Sequence, residues 1–331
     1  MAEPTAHTPP YPAGCAHPAD LMVQVSQQLT RSLTRLASGP PRPPRIPRTP
    51  RTPATPETPS PSRPALVAVA HGSRDPRALR TVQALLERVR ALRPGLDVRL
   101  GHIELNEPLL AGTLARLAGG PACPAAPQGP EGHAMPAAPV PTEAAAVLVP
   151  LLLGRGHHVK HDLPAALAAA PRVRGVVADP LGPHPLLAEA LHVRLVEAGW
   201  GRPVPGEAVV LAAAGSRDPD SASCTAATAA LLSARLGGVP VVPAFATAAS
   251  PSVPEALAAL ASRGLHRVAV AACFTAPGRF AAQTAAGAPW IAAAPLGAQD
   301  AMARLVLHRY DRAAATLAAG PAGRFAAAIR K

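Results

Sequence analysis

Cysteine is scarce and scattered. The 331 residues include four, Cys15, Cys123, Cys224 and Cys273, with no CxxC pair among them. A disulfide framework or a structural zinc site is thereby excluded as the organising device, and a reduced cytoplasm is the expected compartment. Aromatic side chains are scarcer in proportion: 4 Phe, 2 Tyr and 2 Trp. Single-stranded nucleic acids are held by stacking bases on exposed rings, and this chain has few to offer. No apolar run approaches the roughly 18 residues of a membrane span. The N-terminus lacks the basic-then-apolar order of a signal peptide. Lysine is almost missing, since Lys160 and Lys331 are the only two among 32 basic residues. No Walker loop and no GxSxG elbow occurs, which removes two common signatures of nucleotide and ester chemistry.

What is present is apolar and basic. Hydrophobic residues make up 48% of the chain, enough to bury a sizeable core, and the net charge is +12. High Arg, Ala and Pro together reflect a compositional bias, but the positive balance still favours an anionic partner: nucleic acid, phosphate or a polycarboxylate. The length suits about two domains. Residues 1–64 hold 16 of the 43 prolines, and Pro40 to Pro64 reads PPRPPRIPRTPRTPATPETPSPSRP. Such a stretch has too few backbone donors and too little apolar surface to pack, so a disordered or polyproline-like tail without a catalytic role is expected. Within it, Leu21 to Leu36 could form a short helix.

From Ala65 the pattern changes. LVAVA (66–70) reads as a buried strand, and residues 76–93 carry apolar side chains at helical spacing. A strand at 96–103, a helix at 107–118, a strand at 144–153, a helix near 161–170, a strand at 173–178 and a helix at 184–198 follow. Between them, 119–142 is rich in Gly, Pro and Ala and reads as a flexible insertion. Strands alternating with helices mean an α/β fold with parallel sheets. The chain then repeats itself. AVVLAAAGSRDP (208–219) matches ALVAVAHGSRDP (65–76), AFATAASPSVPEAL (244–257) sits against GHIELNEPLLAGTL (101–114), and VAACFTAPGRF (270–280) against VPLLLGRGHHV (149–159). The first two blocks share one offset and the third differs by about the length of the 119–142 stretch. The organisation expected is two parallel-sheet domains, 65–200 and 207–318, related by an internal repeat, with 319–331 as a second tail.

Ligands of open parallel sheets bind beyond the carboxyl ends of the strands. Three such ends in the first half carry ionisable groups: His71, then His102 with Glu104, then His157, His158 and His161. Period-two alternation puts His102 and Glu104 on one face, provided the strand has not yet ended. In the second half His71 becomes Ala214, Glu104 becomes Thr247 and His158 falls against Arg279. A structural histidine is expected equally in both copies, so the asymmetry points to function in the first half. Two imidazoles and a carboxylate suit a borderline divalent metal such as Fe²⁺, Co²⁺, Ni²⁺ or Zn²⁺, and neutral imidazoles also accept protons near pH 7. Glu104 has a plainer reading as a carboxylate near a helix start. A phosphohistidine phosphatase would have Arg directly before His-Gly, where this chain has Ala70.

VAVAHGSRDP, the IELNEP block, VPLLLGRGHHVKHDLP and DPLGPHPLL, in this order and spacing, resemble the sirohydrochlorin chelatase family, the type II chelatases. The likeness is strong over 65–200 and weaker over 207–318. It implies two flavodoxin-like halves facing a cleft, with His71 and His158 binding the incoming metal and Glu104 at the family's acidic position. It implies insertion of Fe²⁺ or Co²⁺ into sirohydrochlorin, a tetrapyrrole with eight carboxylates. His71, His158 and Glu104 then form the catalytic set. The metal is a substrate, and no tightly bound cofactor is expected. Ser73, Arg74, Arg155 and Lys160 flank the histidine motifs and are the expected contacts for the substrate. His184 starts a helix, where capping and substrate contact are both open. A non-catalytic metal or tetrapyrrole carrier using the same histidines is the alternative. Neither nucleic acid nor membrane is an expected partner. Iron and cobalt accept the same N and O ligands, so the residues do not choose between them.

Overall fold

The computed structural model describes residues 63–119 and 144–319. The Pro-rich tail apart from its last two residues, the helix considered for Leu21 to Leu36, the insertion after residue 119 and the terminal stretch after residue 319 lie outside the described residues.

The first half runs β1 (Ala65–Ala70), α1 (Pro76–Leu92), β2 (Val98–His102), α2 (Leu110–Leu117), β3 (Ala144–Pro150), a π-helical turn (His158–Asp162), α3 (Leu163–Ala168), β4 (Val173–Val177) and α4 (Pro185–Glu197). The second half runs β5 (Glu207–Ala213), α5 (Pro219–Arg235), β6 (Val241–Phe245), α6 (Val253–Ala261), β7 (Arg267–Ala272), α7 (Arg279–Ala286), β8 (Ile291–Ala292) and α8 (Asp300–Ala318). Each half forms a four-stranded sheet, ordered β2-β1-β3-β4 and β6-β5-β7-β8. Every strand pair is parallel. The expected α/β architecture of two repeated parallel sheets is therefore what the chain adopts.

Alternation along the strands sorts the apolar side chains into three layers. Val67 and Val69 of β1 face an outer layer with Leu110, Leu114 and Leu163. Leu66 and Ala68 face inward and join Val209 and Leu211 of β5 in one continuous core between the sheets. Val210 and Ala212 of β5 face the second outer layer, with Val253 and Leu260. The central layer is filled by α1, α4, α5 and α8, which contribute Leu85, Leu191, Leu232 and Leu305 among others. Two helices cross between the halves. Helix α8, at the end of the second half, lies against β3 and β4 of the first sheet, while α4 lies against β7 of the second. The boundary of the repeat in sequence is thus not the boundary of packing.

Some expected boundaries move. The strand expected through residue 153 ends at Pro150, paired with Val69 of β1, and the last bond to β1 runs from Leu151 N to Val69 O at 2.8 Å. Leu151 to Leu153 continue as cavity wall. The helix expected from 107 begins at Leu110, after the Glu107 carboxylate accepts from Leu109 N at 2.9 Å. The helix expected near 161 begins as a π-helical turn at His158.

Helix α8 is anchored on several sides. Asp300 and Asp311 pair with Arg88 of α1 and with Arg93 at its C-cap, and Arg304 pairs with Glu189 of α4. Tyr310 donates its hydroxyl to Pro64 O at 2.6 Å. Met302, Leu305, Val306, Leu307 and Tyr310 are buried. Their burial contributes on the order of 10 kcal/mol, as large as the net stability of a typical domain. Ending the chain at Gln299 is therefore expected to abolish cooperative thermal unfolding of both halves, monitored by circular dichroism. A sharp transition retained by the truncated chain contradicts the shared core.

Candidate functional site

The turn after β1 reads HGSRDP, and nearly all of it is fold chemistry. Gly72 has φ +106, and a Cβ there would run into the carbonyl oxygen of Glu104. Ser73 Oγ accepts from Asp75 N at 3.1 Å, Asp75 caps α1 by accepting from Arg77 N at 2.9 Å, and Pro76 opens the helix. The second half repeats each device. Gly215 (φ +91) lies under the Thr247 carbonyl, Ser216 Oγ accepts from Asp218 N at 3.1 Å, and Asp218 caps α5. GSRDP recurs because two loops must pass within backbone contact and a helix must start there. What differs is the residue before it, His71 in one half and Ala214 in the other.

Glu104 is tied to that turn through the backbone. Its N–H donates to His71 O at 3.0 Å, and its carboxylate lies 3.4 Å from His71 Nδ1. The two side chains are 54% and 45% exposed, so this is a solvated contact rather than a tight hydrogen bond. Strand β2 has ended at His102, so the period-two expectation does not carry His102 to the same surface. His102 is 2% exposed, and its Nδ1 is 3.2 Å from Pro108 O. Burial holds it below the ordinary histidine range, against the pull of that hydrogen bond, so it is neutral and internally engaged.

His158 opens the π-helical turn. Its Nδ1 is 2.6 Å from Asp162 Oδ2, four residues on. A carboxylate can only accept there, so Nδ1 carries the hydrogen and Nε2 keeps the lone pair. The rings of His71 and His158 meet edge to face, 4.8 Å between centroids and 89° between planes. His157 lies tilted against His161 at 4.7 Å between centroids, with its Nε2 3.6 Å from the other oxygen of Asp162. Asp162 was not among the sequence candidates. The i, i+4 spacing of His158 and Asp162 was the available signal.

A cavity of about 820 Å³ opens between the halves, within the range of organic-ligand pockets. His71, Ser73, Arg74 and Leu105 line it from the first half, and Phe274, Arg279 and Phe280 from the second. His158 and Glu104 touch His71 but do not themselves line the cavity. Among the described residues, no group of three or more His, Cys, Asp or Glu is arranged to hold a metal ion. Cys273 lies on the wall, but burial pushes its thiol up to about 12, so it stays protonated.

The four expected substrate contacts separate. Arg74 is exposed on the cavity wall, and among the described residues no carboxylate pairs with it. Ser73 lines the cavity while its hydroxyl accepts in the turn. Arg155 and Lys160 do not line the cavity, and both pair with carboxylates. Arg155 pairs with Asp179. Lys160 Nζ lies 2.7 Å from Asp218 and 2.8 Å from Asp220, which raises its pKa and pins the His158 turn to the start of α5. His184 caps α4, its Nδ1 accepting from Leu186 N at 3.1 Å. Burial, with help from Arg309, His308 and Arg312, pushes His184 down to about 4, which keeps it a neutral acceptor.

The CbiX family model matches residues 65–122, 141–198 and 208–313. The sirohydrochlorin ferrochelatase of Bacillus subtilis strain 168 is 30% identical over 200 residues, which cover 59% of this chain and 68% of that protein. The chain belongs to the sirohydrochlorin chelatase family. Among solved structures, SirB from Bacillus subtilis with Fe³⁺ superposes with a TM-score of 0.59 at 23% identity, covering 78% of this chain and 98% of that one. SirB from subspecies spizizenii in complex with cobalt gives 0.51 at 18%, covering 80% and 98%. These two share the fold of this family member. Among its described residues no helix is long and apolar enough to cross a membrane.

Two expectations follow. Gly72→Ala and Gly215→Ala should each destabilise the fold by at least about 2 kcal/mol, through a clash and a strained φ. Equal costs in chemical denaturation identify the motif as structural in both halves, and a neutral Gly215→Ala refutes that. The second concerns pH. Unfolded, His184 titrates near the ordinary 6.5; folded, near 4. The unfolded chain therefore binds more protons between these values, and stability falls as pH drops from about 6.5 towards 4. His102 and His192, also held low by burial, add in the same direction. His184→Asn keeps a capping side chain and should lose less thermal stability than the wild type between pH 7 and 4.5. Identical pH profiles contradict the depressed pKa.

Proposed function

We propose that this chain is an enzyme that inserts Fe²⁺ or Co²⁺ into sirohydrochlorin, with the metal as substrate. The observation that carries the proposal is the His71–His158 pair, with a carboxylate beside each Nδ1 and His71 on the wall of the cavity between the halves. Family membership supplies the substrate class. A curated relative carries the ferrochelatase name, and related structures hold Fe³⁺ or cobalt, which supports either metal.

Insertion of M²⁺ into a free-base tetrapyrrole releases two protons from pyrrole nitrogens. Two imidazoles whose Nδ1 sides face carboxylates offer Nε2 lone pairs as loose ligands and as proton acceptors. Glu104 is a further acceptor, open to solvent, through which protons leave. An open pair suits a metal that must be handed on, whereas a closed four-ligand cage would retain it. Arg74 and Arg279, on opposite walls, are placed to pair with the carboxylate rim of the macrocycle. The reducing setting that Fe²⁺ requires agrees with a cytoplasmic location.

Anaerobic absorbance assays with sirohydrochlorin and each metal test the proposal, and repeated turnover separates an enzyme from a stoichiometric carrier. His71→Ala and His158→Ala should each lower kcat by about 10²-fold or more, because each removes a ligand and a base. Arg279→Ala should act mainly on KM, by roughly 10–100-fold, the equivalent of a lost charge-assisted hydrogen bond of about 1.5–3 kcal/mol. A His71→Ala enzyme with wild-type kcat beside a dead Arg279→Ala places the reaction in the wrong half.

A further inference from the structure

Leu105 combines two unfavourable features that its own packing does not offset. It is 54% exposed, and it belongs to none of the three apolar layers. Its backbone sits at φ +65, in the left-handed region that a branched side chain avoids. Asn106 N donates to Glu104 O at 2.8 Å across it, which makes Leu105 the centre of a tight three-residue turn of the strained kind. Glycine or asparagine would suit that backbone better, and a polar residue would suit that exposure better.

The turn itself is imposed by the fold. Asn106 Oδ1 accepts from Ser73 N at 2.6 Å, and the Glu104 carbonyl covers Gly72, so the loop is fastened to the His71 turn at both ends. The second half bends its matching loop in the same way, with Ala248 at φ +58. The fold therefore accounts for the backbone but not for a large apolar side chain on it. The place of that side chain is informative. Leu105 lines the cavity, one residue from Glu104, and Phe274 and Phe280 line the same cavity from the other half.

We infer that Leu105 is a substrate-contacting residue that seats the apolar face of the tetrapyrrole, next to the histidine pair. This rests on the chelatase reading and extends it from charge recognition to shape. A tetrapyrrole is a flat disc with apolar faces and an anionic rim. Arg74 and Arg279 meet the rim, and an exposed leucine held rigidly beside Glu104 meets a face. Covering it with substrate gains the hydrophobic contribution that the free protein forgoes. Rigidity matters here, because a side chain presented by a fixed turn needs little further ordering on binding.

The test exploits opposite signs. Leu105→Gly relieves the backbone and should keep or raise the thermal midpoint, whereas loss of a core leucine would lower it. The same variant, and Leu105→Ala, should weaken binding of metal-free sirohydrochlorin about 10-fold or more, read by quenching of its fluorescence. In turnover the loss should fall on KM for the tetrapyrrole rather than on KM for the metal. Leu92→Ala is the control, since Leu92 is 50% exposed at the end of α1 and outside the cavity. Binding is read without metal, so it reports on Leu105 whether or not the wild type goes on to insert one. Wild-type affinity in both Leu105 variants overturns the inference, as does a marked fall in the thermal midpoint of Leu105→Gly, which would make Leu105 a packing residue.

Discussion

The apolar layer between the two sheets is the constraint on which everything else rests. Neither sheet covers its own inner face. Helix α8 comes from the second half to lie on β3 and β4, and α4 goes from the first half to lie on β7. Burial on this scale rivals the whole net stability of a domain, so the two halves are held at one relative placement. The cavity lies between them at the carboxyl ends of the strands. The cleft lies where the two halves meet around these shared helices.

On that scaffold the two halves spend the same turn differently. Both use glycine under a neighbouring carbonyl, a serine that accepts from the backbone and an aspartate cap. These devices set how closely the loop after the first strand approaches the loop after the second. In the first half that approach brings His71 and Glu104 into contact; in the second it brings Ala214 beside Thr247, with nothing to titrate. The third loop completes the difference, with His158 oriented by Asp162 where the second half presents Arg279 to the cavity. One copy presents histidines and carboxylates there, the other an arginine.

Net positive charge is a poor guide to which cations meet a ligand. Lys160 and Arg155 flank the histidine motif in sequence, yet both are consumed by carboxylates, and Lys160 serves to fasten the His158 turn to the other half. Arg74 and Arg279 are the ones left on the cavity wall. Burial acts on the histidines in the same selective way. His102 and His184 are kept neutral and occupied with backbone groups, whereas the rings of His71 and His158 meet near the surface.

The alternation of strands and helices, the internal repeat and the candidate histidines are legible in the residues alone. Runs such as LVAVA, short, uniformly apolar and closed by a turn motif, suit a strand buried on both faces. A repeat in which His71, Glu104 and His158 have no ionisable equivalent except Arg279 is visible by comparing two stretches of one chain. Element ends were less legible. A π-helical turn at His158 and a strand stopped at Pro150 depend on loop geometry and register, which periodicity does not encode. Only the tertiary structure decided that His184 caps a helix, that Lys160 and Arg155 are spoken for, that Asp162 orients His158 and that Leu105 stands exposed on the cavity wall. Each of these turns on which group lies within hydrogen-bonding or van der Waals reach, often across 50 residues or more of chain, as Lys160 and Asp218 are. Composition and spacing record what a side chain can do; its neighbours in space decide what it does.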